Sequence, residues 1–238
     1  MRIVRAAPAP LLEVDLTGDE LLAWLRTQYE LPGSTWLRLN LISAIGGQIT
    51  GPSGGSDELA DGVDRPLLRL LRESADVVLV GAASLRAGGY PLPARAPLAV
   101  LTASGDLGGH RLRADLDPAR LLVLCPPSAV DRVRDTLGVP GTIVPIAGDP
   151  MADPGAALAA LHDRGLGRVL CEGGGGIASR LLAAGLVTEF CHSSAPLVTA
   201  PGAPLITGDV PLTTARLDLL LLDETDRTYA RWRFADPA

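Results

Sequence analysis

The stretch "VLCEGGGGIASRLLAAG", residues 169–185, places an apolar run, one carboxylate and four glycines directly ahead of a helical pattern. Val169 to Cys171 reads as the end of a buried strand, and Ile177, Leu181 and Ala184 recur at helical spacing before Gly185. A strand-to-helix turn needs one glycine or two, so four imply that something approaches this backbone closely. The first N–H groups of a helix point outward without intrahelical partners, and the macrodipole adds a field that favours an anion. Side chains at Gly173, Gly174, Gly175 and Gly176 would obstruct that approach, so the stretch reads as a seat for a pyrophosphate. The alternative is a turn whose glycines merely let the helix pack close to the sheet. The pattern is not G-x-G-x-x-G after a first strand, has no acidic residue about 20 positions on, and lacks a P-loop's Lys-Ser/Thr, which disfavours a Rossmann dinucleotide fold.

Working outward, similar apolar runs occur at "VVLVG" (77–81), "PLAVLT" (97–102), "RLLVLC" (120–125) and "GTIVPI" (141–146). Continuous Val/Leu/Ile runs suit strands buried on both faces, as in a parallel sheet covered by helices. "WLRLNLISAI" (36–45) alternates instead, with Leu37, Leu39 and Leu41 on one face and Arg38, Asn40 and Ile42 on the other. Intervening segments read as helices. Asp64 is a candidate cap for a helix carrying Leu67, Leu68, Leu70 and Leu71. Val130, Val133 and Leu137 precede Gly138, and Asp153-Pro154 opens "GAALAALHDRG". Thr17 to Glu20 has a capping-box pattern, so a helix is predicted over 17–30, ended by Pro32-Gly33. Near the C-terminus, "LDLLLL" (217–222) and the strictly alternating "TYARWRF" (228–234) flank "DETD" and predict an antiparallel hairpin. The expected fold is a single α/β domain over 36–238, with a mostly parallel central sheet, flanking helices and an antiparallel C-terminal hairpin. Residues 1–35 are expected to be an N-terminal helical extension.

Composition narrows the function class. With 47% hydrophobic residues among 238, the chain can bury a sizeable core. A net charge of −6 and singly scattered arginines argue against a nucleic-acid partner. No apolar run approaches the roughly 20 residues needed to cross a bilayer, and none resembles a leader, so no membrane partner and a cytoplasmic location are expected. Cys125, Cys171 and Cys191 lack C-x-x-C spacing and read as buried thiols of a reducing compartment. His110, His162 and His192 are far apart in sequence, and no metal site is expected.

Two further turns repeat the logic of the first. "VGAASLRAGGY" (80–90) offers Gly81 and the hydroxyl of Ser84, and "LTASGDL" (101–107) ends a strand in Thr102 and Ser104. Small residues and hydroxyls at successive strand ends make a rim for one extended ligand. Each hydroxyl alone also fits a purely local cap or turn.

The ordered blocks "NLISAIGGQITGPSGGS", "LLRLLRESADVVLVGAASLRAGGY", "LTASGDL" and "VLCEGGGGIASRLLAAGLVTEF" resemble the reductase domain of the riboflavin-biosynthesis deaminase–reductase, and its stand-alone relatives in particular. The resemblance spans roughly residues 36–235, and no deaminase H-x-E with P-C-x-x-C is present. It implies a dihydrofolate-reductase-like fold, a homodimer and a small-molecule substrate. The implied reaction is NADPH-dependent reduction of a phosphoribosylaminopyrimidine, opening the ribose to a ribityl chain. Carried over by position, Gly173, Gly174, Gly175, Gly176 and Ile177 form the pyrophosphate turn, with Gly81 and Ser84 beside it. Thr102 and Ser104 would lie near the adenosine ribose or its 2′-phosphate. Glu172 is the candidate catalytic residue, and Asn40, Ser53, Arg72 and Arg95 are candidate substrate contacts.

The chain departs from that pattern in places. Ala44-Ile45-Gly46-Gly47 stands for Ser-Leu-Asp-Gly, Gly88-Gly89 replaces an acidic turn, and Thr188 occupies the place of a common Asp. Ala103 stands where a basic residue would hold a 2′-phosphate, which leaves NADH open beside NADPH. Two functions therefore stand at this point: an NAD(P)H-dependent reductase of a pyrimidine-type or related heterocycle, and a degenerate, non-catalytic nucleotide-binding or dimeric partner protein.

Overall fold

The structure, a computed structural model, describes residues 3–7, 16–87, 90–151 and 153–234. Its strands are β1 (Ile3–Ala7), β2 (Trp36–Ala44), β3 (Val77–Gly81), β4 (Leu98–Leu101), β5 (Leu121–Cys125), β6 (Thr142–Pro145), β7 (Arg168–Cys171), β8 (Glu189–Ala195), β9 (Arg216–Asp223) and β10 (Thr228–Arg233). The helices are α1 (Gly18–Gln28), α2 (Asp64–Ser74), α3 (Ala82–Arg86), α4 (Val130–Leu137), α5 (Pro154–His162) and α6 (Gly175–Ala183). All strands join one sheet in the order β1-β9-β10-β8-β2-β7-β3-β4-β5-β6. From β8 to β6 every pairing is parallel, and β10 against β8, β9 against β10 and β1 against β9 are antiparallel. The expected parallel sheet with an antiparallel C-terminal hairpin is present.

The continuous apolar runs are explained by two cores, one on each face of the sheet. Val78, Val80, Leu98, Val100 and Val123 pack with Leu21, Leu25, Leu67, Leu71 and Val133 of α1, α2 and α4. Their neighbours Val77, Leu79, Ala99, Leu101, Leu122 and Leu124 pack on the opposite face with Leu158, Leu161, Ile177 and Leu181 of α5 and α6. Residues alternate between faces while both faces are apolar, so no polar position interrupts these strands. Each such side chain contributes about 1.5–3 kcal/mol when fully buried.

Two expectations need correction. The first 35 residues are not purely helical: β1 pairs with β9 as an edge strand, and α1 packs against α2, so this segment belongs to the same body. Asp64 does not cap α2. It is the first residue of the helix, Val63 precedes it as the cap without a side-chain hydrogen bond, and Asp64 is only 7% exposed. Thr17 similarly occupies the cap position of α1 with an extended backbone but no side-chain cap bond. Other signals behave as read: Asp153 accepts from the amides of Gly155 and Ala156, and Gly138 adopts φ 63° at the end of α4.

The polar face of β2 is not solvated as its alternation suggests. Arg38 is 2% exposed and donates through Nε to Glu189 Oε1 at 2.6 Å and through Nη2 to the Tyr29 carbonyl at 2.9 Å. This pair ties the end of α1 to the β2–β8 seam. Removing one partner of such a pair would leave a buried charge at a cost of about 3–5 kcal/mol.

Candidate active site

The C-terminal ends of β2, β7, β3 and β4 open into one cavity of about 1010 Å³. A crevice outside the carboxyl ends of parallel strands is where open α/β sheets bind ligands. Helix α2 covers one side with Asp64, Leu68 and Arg72, spaced by one turn each, and the chain around Ala203, Pro204 and Thr207 covers another. Five arginines (Arg65, Arg69, Arg72, Arg86 and Arg95) line the cavity against four carboxylates, whereas the whole chain carries −6. That local reversal favours an anionic ligand.

At one end lies the start of α6. The amides of Gly175, Gly176 and Ile177 are the first of the helix and have no intrahelical acceptor, nor any other acceptor among the described residues. All three residues line the cavity. The Gly174 amide, by contrast, is capped by the protein itself, donating to Ser84 Oγ at 2.8 Å. The oxygen of Ser84 thus holds the turn, and its hydroxyl proton remains for another acceptor.

Three of the four glycines can be told apart by what a Cβ would meet. Gly173 has φ 82°, and a Cβ there would lie 2.5 Å from Leu41 Cδ2. At Gly175 a Cβ would run into the Pro204 carbonyl oxygen. A Cβ on Gly176 would meet nothing within 4 Å. Close packing therefore accounts for Gly173 and Gly175, while Gly176 keeps open space beside the helix start.

Gly81, Ser84, Thr102 and Ser104 all border the same cavity, as the three strand ends suggested. Their hydroxyls also make local bonds: Thr102 Oγ1 accepts from Gly105 N–H at 3.0 Å and Ser104 Oγ from Asp106 N–H at 3.2 Å. The Ile177 side chain is core, 2% exposed, and contributes only its backbone to the site.

At the other end stands Glu172. Arg72 donates to it twice, Nε to Oε1 at 2.7 Å and Nη2 to Oε2 at 2.6 Å. The Tyr90 hydroxyl also donates to Oε2, and the Arg72 guanidinium lies over the Tyr90 ring at 5.4 Å. Burial works against the charge of Arg72, yet the hydrogen bonds and charge of Glu172 hold its pKa above the ordinary value. Burial and then the Glu172 charge push the Tyr90 phenol well up, so it stays a donor. A bidentate Arg–carboxylate fork fixes both planes and leaves little rotational freedom.

The other candidates divide. Asn40 and Arg95 line the cavity; Arg95 is exposed and has no partner among the described residues. Gly173 and Ser53 do not line it, and Ser53 Oγ donates to Glu58 Oε2 at 2.7 Å while Gly54 and Gly55 border the cavity beside it. Gly46 sits in an exposed turn outside the lining. Gly88 and Gly89 lie outside the described residues. Among the described residues no group of three or more His, Cys, Asp or Glu could hold a metal, and no helix is long and apolar enough to cross a membrane. All three cysteines are free and buried.

The family model for the RibD C-terminal domain matches residues 35–229. The chain belongs to the RibD C-terminal domain family. Membership in this riboflavin-type reductase family supports an oxidoreductase function. Solved structures share the fold. A pyrimidine reductase-like protein from Corynebacterium diphtheriae superposes with a TM-score of 0.73 at 24% identity, over 90% of this chain and 99% of that one. A riboflavin biosynthesis reductase, Rib7, from Saccharomyces cerevisiae gives 0.62 at 15% identity, over 91% and 100%. The Thermotoga maritima diaminohydroxyphosphoribosylaminopyrimidine deaminase/5-amino-6-(5-phosphoribosylamino)uracil reductase gives 0.67 at 18% identity, over 84% of this chain and 57% of that one. No curated protein sequence matches the chain.

Among the lining residues, Tyr90, Arg86, Asp64, Arg65 and Arg69 were not singled out for function from sequence. Tyr90 closes the quoted turn "VGAASLRAGGY", but nothing local marks it as a partner of Glu172, 82 positions on. Arg86 donates through Nη1 to the Asp106 carbonyl, which sets it beside the Thr102–Ser104 turn. Asp64 was visible only as a cap.

Proposed function

We propose that the protein is an NADPH-dependent reductase of a phosphoribosylaminopyrimidine-type or related heterocyclic substrate. One observation carries this reading: the free amides of Gly175, Gly176 and Ile177 and the Glu172–Arg72–Tyr90 cluster open into the same cavity. A diphosphate bridge fits the amides, and the open space at Gly176 admits it. Ser84 has a hydroxyl proton to offer a phosphate oxygen. Thr102 and Ser104 border the adenosine end, and Gly81 leaves the backbone bare between the two. Arg86 supplies there the cation that Ala103 lacks, which favours the 2′-phosphate of NADPH over NADH. When bound, the dihydronicotinamide supplies a hydride.

Glu172 is held in one orientation and presents its carboxylate edge to sugar hydroxyls or a ring N–H. Arg95, Arg65 and Arg69 at the exposed side suit a substrate phosphate, and Asn40 faces the same space from β2. The chain's contribution is alignment and exclusion of water around two carbons brought together. We place the protein in the cytoplasm, as a homodimer whose reductase domain, from residue 36 onward, is completed by the edge strand β1 and by α1. The test is to mix the purified chain with NADPH and 5-amino-6-(5-phosphoribosylamino)uracil and follow loss of the dihydronicotinamide absorbance. Turnover with both components supports the proposal. Saturable NADPH binding without oxidation contradicts the substrate class, and absence of NADPH binding contradicts the whole reading.

A further inference from the structure

We propose that Asp64 is the general acid of the reaction, delivering to the substrate heteroatom the proton that accompanies the hydride. This rests on the reductase reading above and assigns a residue to a step that reading leaves without one.

Hydride addition to a C=N or C=O carbon forms a C–H bond and breaks the π bond. The π electron pair goes to the nitrogen or oxygen, which must take up one proton, while the dihydronicotinamide is oxidised to the nicotinamide. A donor is therefore required in the cavity. Glu172 is not built for it. Its two oxygens already receive Arg72 Nε, Arg72 Nη2 and the Tyr90 hydroxyl, all donors, in a bidentate ion pair. Tyr90 spends its own proton on Glu172.

Asp64 differs in every respect. It lines the same cavity from the first turn of α2, on the stripe that continues through Leu68 to Arg72. Eight residues at 1.5 Å rise put it about 12 Å along the helix from Arg72, at the opposite side of the substrate space. Its residue is 7% exposed, and no cation lies within ion-pair distance of its carboxylate among the described residues. Around it are Ser193 from β8, Arg227 from the β9–β10 turn, Arg65 on its own helix and Glu172 across the cavity. Tyr229 of β10 is near as well but gives its proton to Asp223 Oδ2 at 2.7 Å. Burial raises the Asp64 pKa against the Ser193 hydroxyl and the charges of Arg227 and Arg65, and the charge of Glu172 raises it further. Two carboxyls of one cavity thus differ in their surroundings, one held in a bidentate ion pair and one buried without an ion pair, where burial favours the protonated form. After transfer, the Asp64 carboxylate is reprotonated by water through the cavity mouth.

The test has two arms, both on the full chain. First, the Asp64 side-chain carboxyl is titrated by carbon NMR in the ligand-free protein, assigned by its loss in Asp64→Asn. The expected midpoint lies above the ordinary Asp value of about 3.9, and a midpoint at or below that value overturns the proposal. Because the folded state then holds this proton more tightly than the unfolded one, wild-type stability relative to Asp64→Asn falls as pH rises from the unfolded value through the folded one. Second, single-turnover oxidation of NADPH is followed with 5-amino-6-(5-phosphoribosylamino)uracil. Asp64→Asn should lower the rate on the order of a hundredfold and abolish the alkaline limb of the pH–rate profile, with NADPH affinity unchanged. Asp64→Glu should restore part of the rate. A rate within about threefold of wild type for Asp64→Asn overturns the proposal. If the wild type binds NADPH but leaves this probe unreduced, the substrate reading fails and the titration arm decides the role of Asp64 by itself.

Discussion

The two ends of the cavity are built from different materials. At the α6 end the contacts are backbone amides and small residues, and the side chains nearby mostly serve the turn itself. At the α2 end the contacts are polar side chains: Arg72 on Glu172, Tyr90 on both, and Asp64 buried without an ion pair among the described residues. A backbone site tolerates many side-chain changes but not a Cβ in the wrong place. A side-chain site fails one group at a time. This contrast fits a cofactor whose diphosphate bridge is invariant at one end and a substrate with particular hydroxyls and ring nitrogens at the other.

The largest effect is expected at the charged end. Glu172→Gln keeps the shape but removes the charge that Arg72 and Tyr90 address, so turnover should fall on the order of a hundredfold, corresponding to about 2–3 kcal/mol. NADPH affinity should hardly change, and steady-state kinetics beside a binding titration would separate the two. Equal losses in both would erase the distinction between the ends.

Next comes a paired test of the glycines. Gly176→Val projects into open space, so it should fold with an unchanged melting temperature and lose NADPH affinity by on the order of tenfold or more. Gly175→Ala should do the reverse, because its Cβ meets the Pro204 carbonyl, with overpacking of about 1–3 kcal/mol seen as a lowered melting temperature. If Gly176→Val binds NADPH normally, the amide seat is wrong.

Smaller changes sharpen the comparison. Arg86→Ala should reduce the preference for NADPH over NADH by about tenfold while leaving NADH binding intact, read from paired affinities. Tyr90→Phe removes the hydrogen bond to Glu172 and the one accepted from Arg72, and should slow turnover by about three- to tenfold, a net effect of roughly 1 kcal/mol. An unchanged rate for Tyr90→Phe would make the phenol a packing element only.

What the chain reveals before folding follows the same division. The sheet was legible because runs such as "VVLVG" are short, uniformly apolar, rich in valine and ended by glycine, as suits a strand covered on both faces. The glycine turn was legible because backbone exposure is a local property, although which glycine served packing and which bordered open space was not, since Pro204 and Leu41 are remote in sequence. Asp64 was misread because an acid before a helix is ambiguous between a cap and a buried first-turn residue, and only the position of β8 decides it. Tyr90 and Arg38 were opaque for a related reason. Each is defined by a partner 82 or 151 positions away, and no spacing rule reaches that far. The strand at Ile3–Ala7 depends on pairing with β9, more than 200 residues on, and so looked like mere extension.

The most direct measurement follows the backbone amide resonances of the nitrogen-15-labelled chain as NADPH is added, with nicotinamide mononucleotide, which lacks the diphosphate bridge, as the control. The expected result is saturable shifts at Gly175, Gly176 and Ile177 with NADPH and little change there with the mononucleotide. Saturable NADPH binding that leaves those three amides where they were, or no binding at all, would contradict a diphosphate seat at the start of α6.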